Sequence, residues 1–217
     1  MGIIVFGASG AGSTTLGKEI ALRLKFQYLD IDDYLWCWNT EVPFTVVRSQ
    51  EGRTKGLMDD IKKYPDFIIA GTIFGDKNLF EPLLDLAVFI STPADVCAQR
   101  VHAREYARWG ERVLPGGDMY KTTRFHGDYN DYVANAQKYE TADVLKFGRK
   151  LHEQWIEELP CPVLRLDGTK DISQNADSVI TQFHKTTEYT QVTKDFLVMA
   201  GLTRHLLSLR DSASSAE

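Results

Sequence analysis

Little cysteine, no long apolar run and no excess of positive charge mark this 217-residue sequence. The three cysteines, Cys37, Cys97 and Cys161, are odd in number, far apart and without a C-x-x-C pair. That spacing excludes a disulfide framework and a cysteine zinc site, and suits reduced thiols in the cytoplasm. No apolar stretch approaches the ~20 residues of a membrane-spanning helix, so no membrane partner is expected. The chain opens into an apolar strand, which reads as no targeting leader. The net charge of −5 argues against nucleic acid as a partner held over the whole surface. Arginine is nonetheless concentrated locally, as Arg100, Arg104, Arg108 and Arg112, which leaves room for a cationic cleft.

What is present is enough for one well-buried domain, with 43% hydrophobic residues. "IIVF" at 3–6 reads as a buried strand, and Leu16, Ile20, Ala21 and Leu24 give helical spacing over 13–24. Further strands are expected at 26–30, 66–72, 85–92 and 161–168, with a helix over 50–64. Short apolar strands alternating with helices predict βαβ units and a parallel sheet covered on both faces. A long polar segment, about 105–158, separates the fourth and fifth strands, and Leu151, Trp155, Ile156 and Leu159 form an apolar stripe in it. It serves either as a moving lid or as extra helical packing. After Asp171 a helix is expected to about 188. An amphipathic stretch at 196–209 docks on the domain or on a second subunit, giving a homodimer, and "DSASSAE" reads as a disordered tail.

The first chemistry lies in "GASGAGSTT", residues 7–15. Gly7, Gly12 and Thr14 stand where the phosphate-binding pattern G-x-x-x-x-G-K-[ST] requires them, but Ser13 replaces the lysine. Glycines let successive backbone N–H groups converge on an anion, and a helix starting near Ser13 adds its positive end. The stretch Gly7, Ala8, Ser9, Gly10, Ala11, Gly12, Ser13, Thr14 and Thr15 is therefore expected to cradle the phosphates of ATP or GTP. The Thr14 hydroxyl would ligate Mg²⁺, and Thr15 would bond a phosphate oxygen. Lys18 lies five residues along the helix and points away from the loop.

The acceptor side is read from "DIDDYLW" at 30–36, which ends the second strand. Asp30 and Asp32 have period-two spacing and face the ligand crevice together. One would hold the metal's water shell, assigned to Asp30. The other, Asp32, would orient an acceptor hydroxyl and take its proton. Asp33 is the expected cap of the next helix. Arg48 either grips an acceptor phosphate or carboxylate or stands solvated. Tyr34, Trp36 and Trp38 line an acceptor pocket or belong to the core. Gly71, in "AGTIFGD", allows close backbone approach. On a helix, Arg100, Arg104 and Arg108 form a cationic strip, and Glu105 and Glu111 neutralise part of it.

Together "GASGAGSTT", "YLDIDDYLW", "PFTVVR", "REYARWGERVLPGGDMY" and "LPCPVLRLDG" resemble a bacterial group of P-loop proteins labelled adenylate-kinase-like or AAA-family ATPases, whose loop has no lysine. The sequence is also similar, more distantly, to the nucleoside monophosphate kinase and shikimate kinase fold. This resemblance implies a three-layer α/β fold, a five-stranded parallel sheet of order 2-3-1-4-5, and a helical lid at about 104–140. It implies ATP and Mg²⁺ as donor, Asp30 and Asp32 as a D-x-D motif, Arg100 and Arg104 opening the lid, and Gly168, Thr169 and Lys170 near the adenine. "AGTIFGD" replaces the D-G-[FY]-P-R signature of adenylate kinases, which argues against AMP as acceptor.

The reading that follows is a kinase-like domain over 1–189, with a C-terminal helix and tail at 190–217. It would transfer the ATP γ-phosphate to a nucleoside, a nucleotide or a hydroxylated metabolite, with Asp32, Arg104 and Arg108 as the catalytic set. A nucleotide-binding switch with little turnover, or an NTPase using water, are the alternatives.

Overall fold

The computed structural model describes residues 1–40, 46–73, 77–117, 120, 136–141 and 148–199. The middle of the insertion expected at 104–140, the end of "AGTIFGD" and the C-terminal stretch beyond 199 lie outside these residues. Two units divide the chain, Met1–Ile180 and Thr181–Glu217. The first contains the sheet, and the second is described as helical to Met199.

In chain order the elements are β1 (Gly2–Gly7), α1 (Ser13–Leu24), β2 (Gln27–Asp30), α2 (Ile31–Leu35), α3 (Gln50–Lys63) and β3 (Phe67–Ala70). They continue with α4 (Lys77–Phe80), β4 (Leu86–Ser91), α5 (Ala94–Trp109), α6 (Arg149–Glu158), β5 (Val163–Asp167) and α7 (Ile172–Met199). Every strand pair is parallel, in the order β2-β3-β1-β4-β5. This is the expected three-layer topology, with β1 at the centre.

Central strands of such a sheet are covered on both faces, and the sequence of β1 fits that demand: Ile3, Ile4, Val5 and Phe6 are all fully buried. Ile4, Phe6, Ile69 and Phe89 face a core built with Leu57 and Ile61 of α3, Phe80 of α4 and Trp155 of α6. On the other face α1 packs so tightly that Gly17 lies against Ile68 and Ala70, where a Cβ would stand 3.2 Å from that of Ala70. Trp155 stays fully buried because its indole N–H donates to Glu81 Oε1 at 2.7 Å.

Several sequence expectations are corrected. β3 stops at Ala70, not 72, because Gly71 turns the chain with φ +114°. The last helix runs past 188 to Met199. Short α2 and α4 escape any periodicity search, since neither completes two turns. In α6 the buried residues are His152 and Trp155, with Ile156 and, at the C-cap, Leu159 partly buried beside them, while Leu151 is 37% exposed. Among the described residues no helix is long and apolar enough to cross a membrane.

Candidate active site

The crevice of an open α/β sheet opens at the carboxyl ends of its strands, where the direction of winding reverses. Here β1 leads outward to β2, whereas β3 leads back across β1 to β4. The glycine loop leaves β1 at that point. Ser13, Thr14 and Thr15 begin α1, whose first turn has no side-chain cap and no acidic residue. Orphan N–H groups and the positive helix end are thus left for an anion.

Each loop glycine answers a different demand. A Cβ on Gly10, at φ +88°, would run into the backbone of Cys97. Gly12, at φ +110°, faces open space with nothing within 4 Å of where a Cβ would stand. That opening is the cradle a phosphate group needs, so the residues present fit a nucleotide. The loop carbonyls are engaged from behind. Thr92, buried, donates its hydroxyl to the Ala11 oxygen at 3.2 Å. Arg100 donates to the oxygens of Ala11 and Gly10 at 3.4 and 3.5 Å, and to Gly168 at 3.0 Å. Gly168 in turn packs against Thr92 and Ala11 too closely for any side chain. Sequence reasoning took Arg100 as a nucleotide contact; in the structure its guanidinium braces the loop and the turn after β5. The neighbouring turn is fixed by Asp167, which accepts from the Thr169 N–H at 2.9 Å and from its hydroxyl at 2.7 Å.

The acidic end of β2 differs from the expected pattern. Asp30, not Asp33, caps α2, accepting the Asp32 N–H at 3.1 Å. The chain enters the helix directly after Asp30, so Asp32 lies on α2 and strand periodicity no longer relates the pair. Asp32 Oδ1 accepts the indole N–H of Trp36 at 3.1 Å. Asp30 Oδ2 accepts the Tyr28 phenol at 2.8 Å. Burial, opposed by the Tyr28 hydrogen bond, raises the Asp30 pKa above the ordinary carboxylate range, and the Asp32 charge adds to the rise. Asp33 is raised by burial and by Asp32, while Lys18 opposes the shift. A cation would relieve this repulsion. Among the described residues no group of three or more His, Cys, Asp or Glu side chains can hold a metal alone. A magnesium ion here would therefore need phosphate oxygens in addition to any protein ligand, and oxygen donors are what hard cations take.

Lys18 does not replace the missing lysine. Its ammonium lies 5.5 Å from the Tyr28 ring centroid, on the β2 side. Arg104 and Arg108 both face the buried Glu105, at 2.9 and 3.5 Å. Arg48 is exposed and its Nε donates to the Trp36 oxygen at 2.9 Å. Trp36 belongs to the core, Tyr34 packs against the core and donates to Asp60 at 2.7 Å, and Trp38 is exposed. Gly71 does permit a close approach, but the approaching group is the Ile31 side chain.

Sequence reasoning missed two features. Tyr28 gave no motif signal beyond its two-residue distance from Asp30. His152 was hidden inside an apolar stripe. It is fully buried, with Nε2 3.0 Å from the Thr72 hydroxyl and Nδ1 2.6 Å from the Tyr139 hydroxyl. Burial lowers its pKa to about 4, so the ring is neutral. Beyond β4 and β5 lies a cleft of ≈ 490 Å³ lined by Ser91, Thr92, Glu140, Arg149, Arg165 and Asp167, among others.

Sheet order, glycine loop and helical cover define a P-loop kinase-like fold, and comparison with known proteins agrees. The shikimate kinase of Acinetobacter baumannii in complex with shikimate superposes with a TM-score of 0.51 at 14% identity, over 85% of this chain and 93% of that one. Shikimate kinase 2 of Serratia proteamaculans (strain 568) is 30% identical over 108 residues, 46% of this chain and 62% of that protein. No established family profile matches. The uncharacterized protein YqaC of Bacillus subtilis (strain 168) is 32% identical over 178 residues, 82% of this chain and 94% of that protein. The chain belongs to the YqaC family.

Proposed function

We propose that this protein is a phosphotransferase that binds ATP or GTP with Mg²⁺ at the glycine loop and passes the γ-phosphate to a small hydroxylated acceptor. The observation that supports this best is the opening at Gly12, before an uncapped helix and beside the acidic end of β2. Bound magnesium would neutralise phosphate charge. The chain's own residues supply the rest. Loop amides and the α1 terminus hold the phosphates, while Thr14 and Asp30 hold the cation. Asp32 orients the acceptor hydroxyl and takes its proton as the oxygen attacks phosphorus. Arg100, Arg104 and Arg108 follow one another at helical-turn spacing along α5 and supply the charge that Ser13 does not. Arg48 and the Gly71 turn border the acceptor, and Gly168 and Thr169 border the base.

On this reading the chain falls with the lysine-free, adenylate-kinase-like P-loop proteins. It works in the cytoplasm, and the C-terminal helix joins two copies. The segment shared with a shikimate kinase makes shikimate a first acceptor to try, followed by nucleosides and nucleotides. The test is calorimetry with ATP and GTP, with and without Mg²⁺, followed by phosphorus NMR of ATP across that panel. Transfer to one acceptor is the expected result. Tight binding with no transfer to any acceptor would favour a nucleotide-dependent switch, the second reading, for which Ser13 in place of lysine is the argument. Absence of nucleotide binding would sink both.

A further inference from the structure

Tyr28 belongs to no phosphate-binding or acceptor motif, yet it is hydrogen-bonded to Asp30, one of the groups that would hold a metal ion. Its ring is set against Gly17 of α1, where a Cβ would come within 3.1 Å of it, so the tyrosine is pinned between α1 and the β2 edge. Its hydroxyl donates to Asp30 Oδ2 at 2.8 Å. A phenol has one proton to give, and here it goes to the carboxylate of Asp30.

We propose that Tyr28 is the positioning residue of the metal site, donating its phenol hydrogen bond to Asp30 and so fixing the direction in which that carboxylate meets a divalent cation. Asp30 is held at both oxygens, by the phenol on Oδ2 and by the Asp32 N–H at 3.1 Å on Oδ1. Ligands oriented in this way bind metal more tightly, and loss of such an outer partner typically costs about 10- to 100-fold in metal affinity. The inference rests on the nucleotide reading above but adds a residue and a dependence which that reading does not require.

The experiment is calorimetric titration of ATP, in Mg²⁺ and in EDTA, into the full chain and into Tyr28→Phe, Asp30→Asn and the double variant. Melting temperatures are taken in parallel. Tyr28→Phe should lose on the order of 10-fold or more in Mg²⁺ and stay within about twofold in EDTA. Asp30→Asn should show the same magnesium-specific loss, and the double variant little beyond it, because the two act as one unit. Equal loss in Mg²⁺ and EDTA, no loss at all, or failure of Tyr28→Phe to fold would each overturn the proposal, leaving Tyr28 structural or idle. If the wild-type chain binds ATP but gains nothing from Mg²⁺, this inference falls and the nucleotide reading stands. If it binds no nucleotide, both fall.

Discussion

Arg100 and Gly168 are joined across the mouth of the sheet, Nη2 of the one donating to the carbonyl oxygen of the other at 3.0 Å. The same guanidinium reaches back to Ala11 and Gly10. One side chain on α5 therefore ties the phosphate loop to the turn after β5. Two loops that come from opposite ends of the sequence are held at a fixed separation by a planar fork of donors, which lysine cannot imitate.

Arg100→Lys and Arg100→Ala should therefore behave alike in stability and differ in binding. Both lose the bridge, and hydrogen bonds from a charged donor contribute roughly 1.5–3 kcal/mol each when well made. The geometry at 3.4–3.5 Å toward the loop is long, so a total loss of about 1–2 kcal/mol is expected in each variant. The lysine variant keeps a positive charge near the phosphates and should retain more ATP affinity than the alanine. Chemical denaturation and calorimetry on the pair check this. Equal affinity in the two would show that charge at this position is irrelevant.

The two left-handed glycines of the loop should separate folding from binding. Gly10→Ala drives a Cβ into the Cys97 backbone and should cost stability by roughly 1–3 kcal/mol. Gly12→Ala meets nothing in the protein, so only its φ strain is felt in the fold. Its methyl group occupies the phosphate cradle instead. Thermal melts and nucleotide titrations should show Gly10→Ala as the less stable protein and Gly12→Ala as the weaker binder, by about 10-fold or more. The reverse ranking would place the phosphates elsewhere.

Much of this was legible in the sequence, for identifiable reasons. Ser13–Leu24 was read to the residue because glycine precedes it and its apolar spacing is regular. Sheet order followed from the resemblance that the glycine loop and the Asp30–Asp32 pair suggested. Less could be read where a side chain's role depends on distant neighbours. Asp30 became a cap because α2 starts at Ile31, three residues earlier than a cap at Asp33 implied. Glu105 was expected to neutralise part of the arginine strip, but no local pattern discloses its burial or its meeting both Arg104 and Arg108. His152 lay unseen because a histidine on an apolar helical face gives no sign of the Thr72 and Tyr139 hydroxyls that satisfy it.

Histidine 152 should make the fold sensitive to mild acid. Its native pKa is lowered by burial to about 4, against an ordinary value of 6.5. Above pH 6.5 both states are neutral and its contribution is constant. As pH falls below 6.5 the unfolded chain takes up a proton that the folded chain refuses. Stability then declines by up to about 1.4 kcal/mol per pH unit, until the native ring also protonates near pH 4. Urea denaturation of wild type and His152→Gln between pH 7.5 and pH 5 isolates this slope, since other shifted groups are common to both. The variant should be less stable at pH 7.5 and lose less on acidification. Parallel pH profiles would mean that the imidazole is not held neutral.

The absent lysine leads to the most demanding prediction, which concerns Arg104 and Arg108. Loop amides and the α1 terminus can bind phosphate in the ground state without a lysine, but transfer moves charge and calls for a cation that engages as it moves. The α5 arginines stand one turn apart, and Glu105 keeps two of them occupied, at 2.9 and 3.5 Å. An arginine supplied in this way can contribute on the order of 10³-fold to phosphoryl transfer. Arg104→Ala or Arg108→Ala should therefore slow turnover by roughly 10²- to 10³-fold while changing ATP affinity by less than about threefold. Ser13→Lys, which restores the usual point charge, should recover part of that loss in whichever variant is impaired, and should do little in the wild type. Glu105→Gln supplies the complementary case. It removes the Glu105 charge from both arginines at some cost to the fold, because two charge-assisted hydrogen bonds are replaced by weaker neutral ones. If the arginines act on phosphate, this variant should melt lower yet keep or raise its turnover. Single-turnover rates across these variants, measured with the acceptor that supports transfer, decide the matter. Unchanged rates in both arginine variants would leave Arg100 as the cation that compensates for Ser13, and its alanine variant would then carry the catalytic loss.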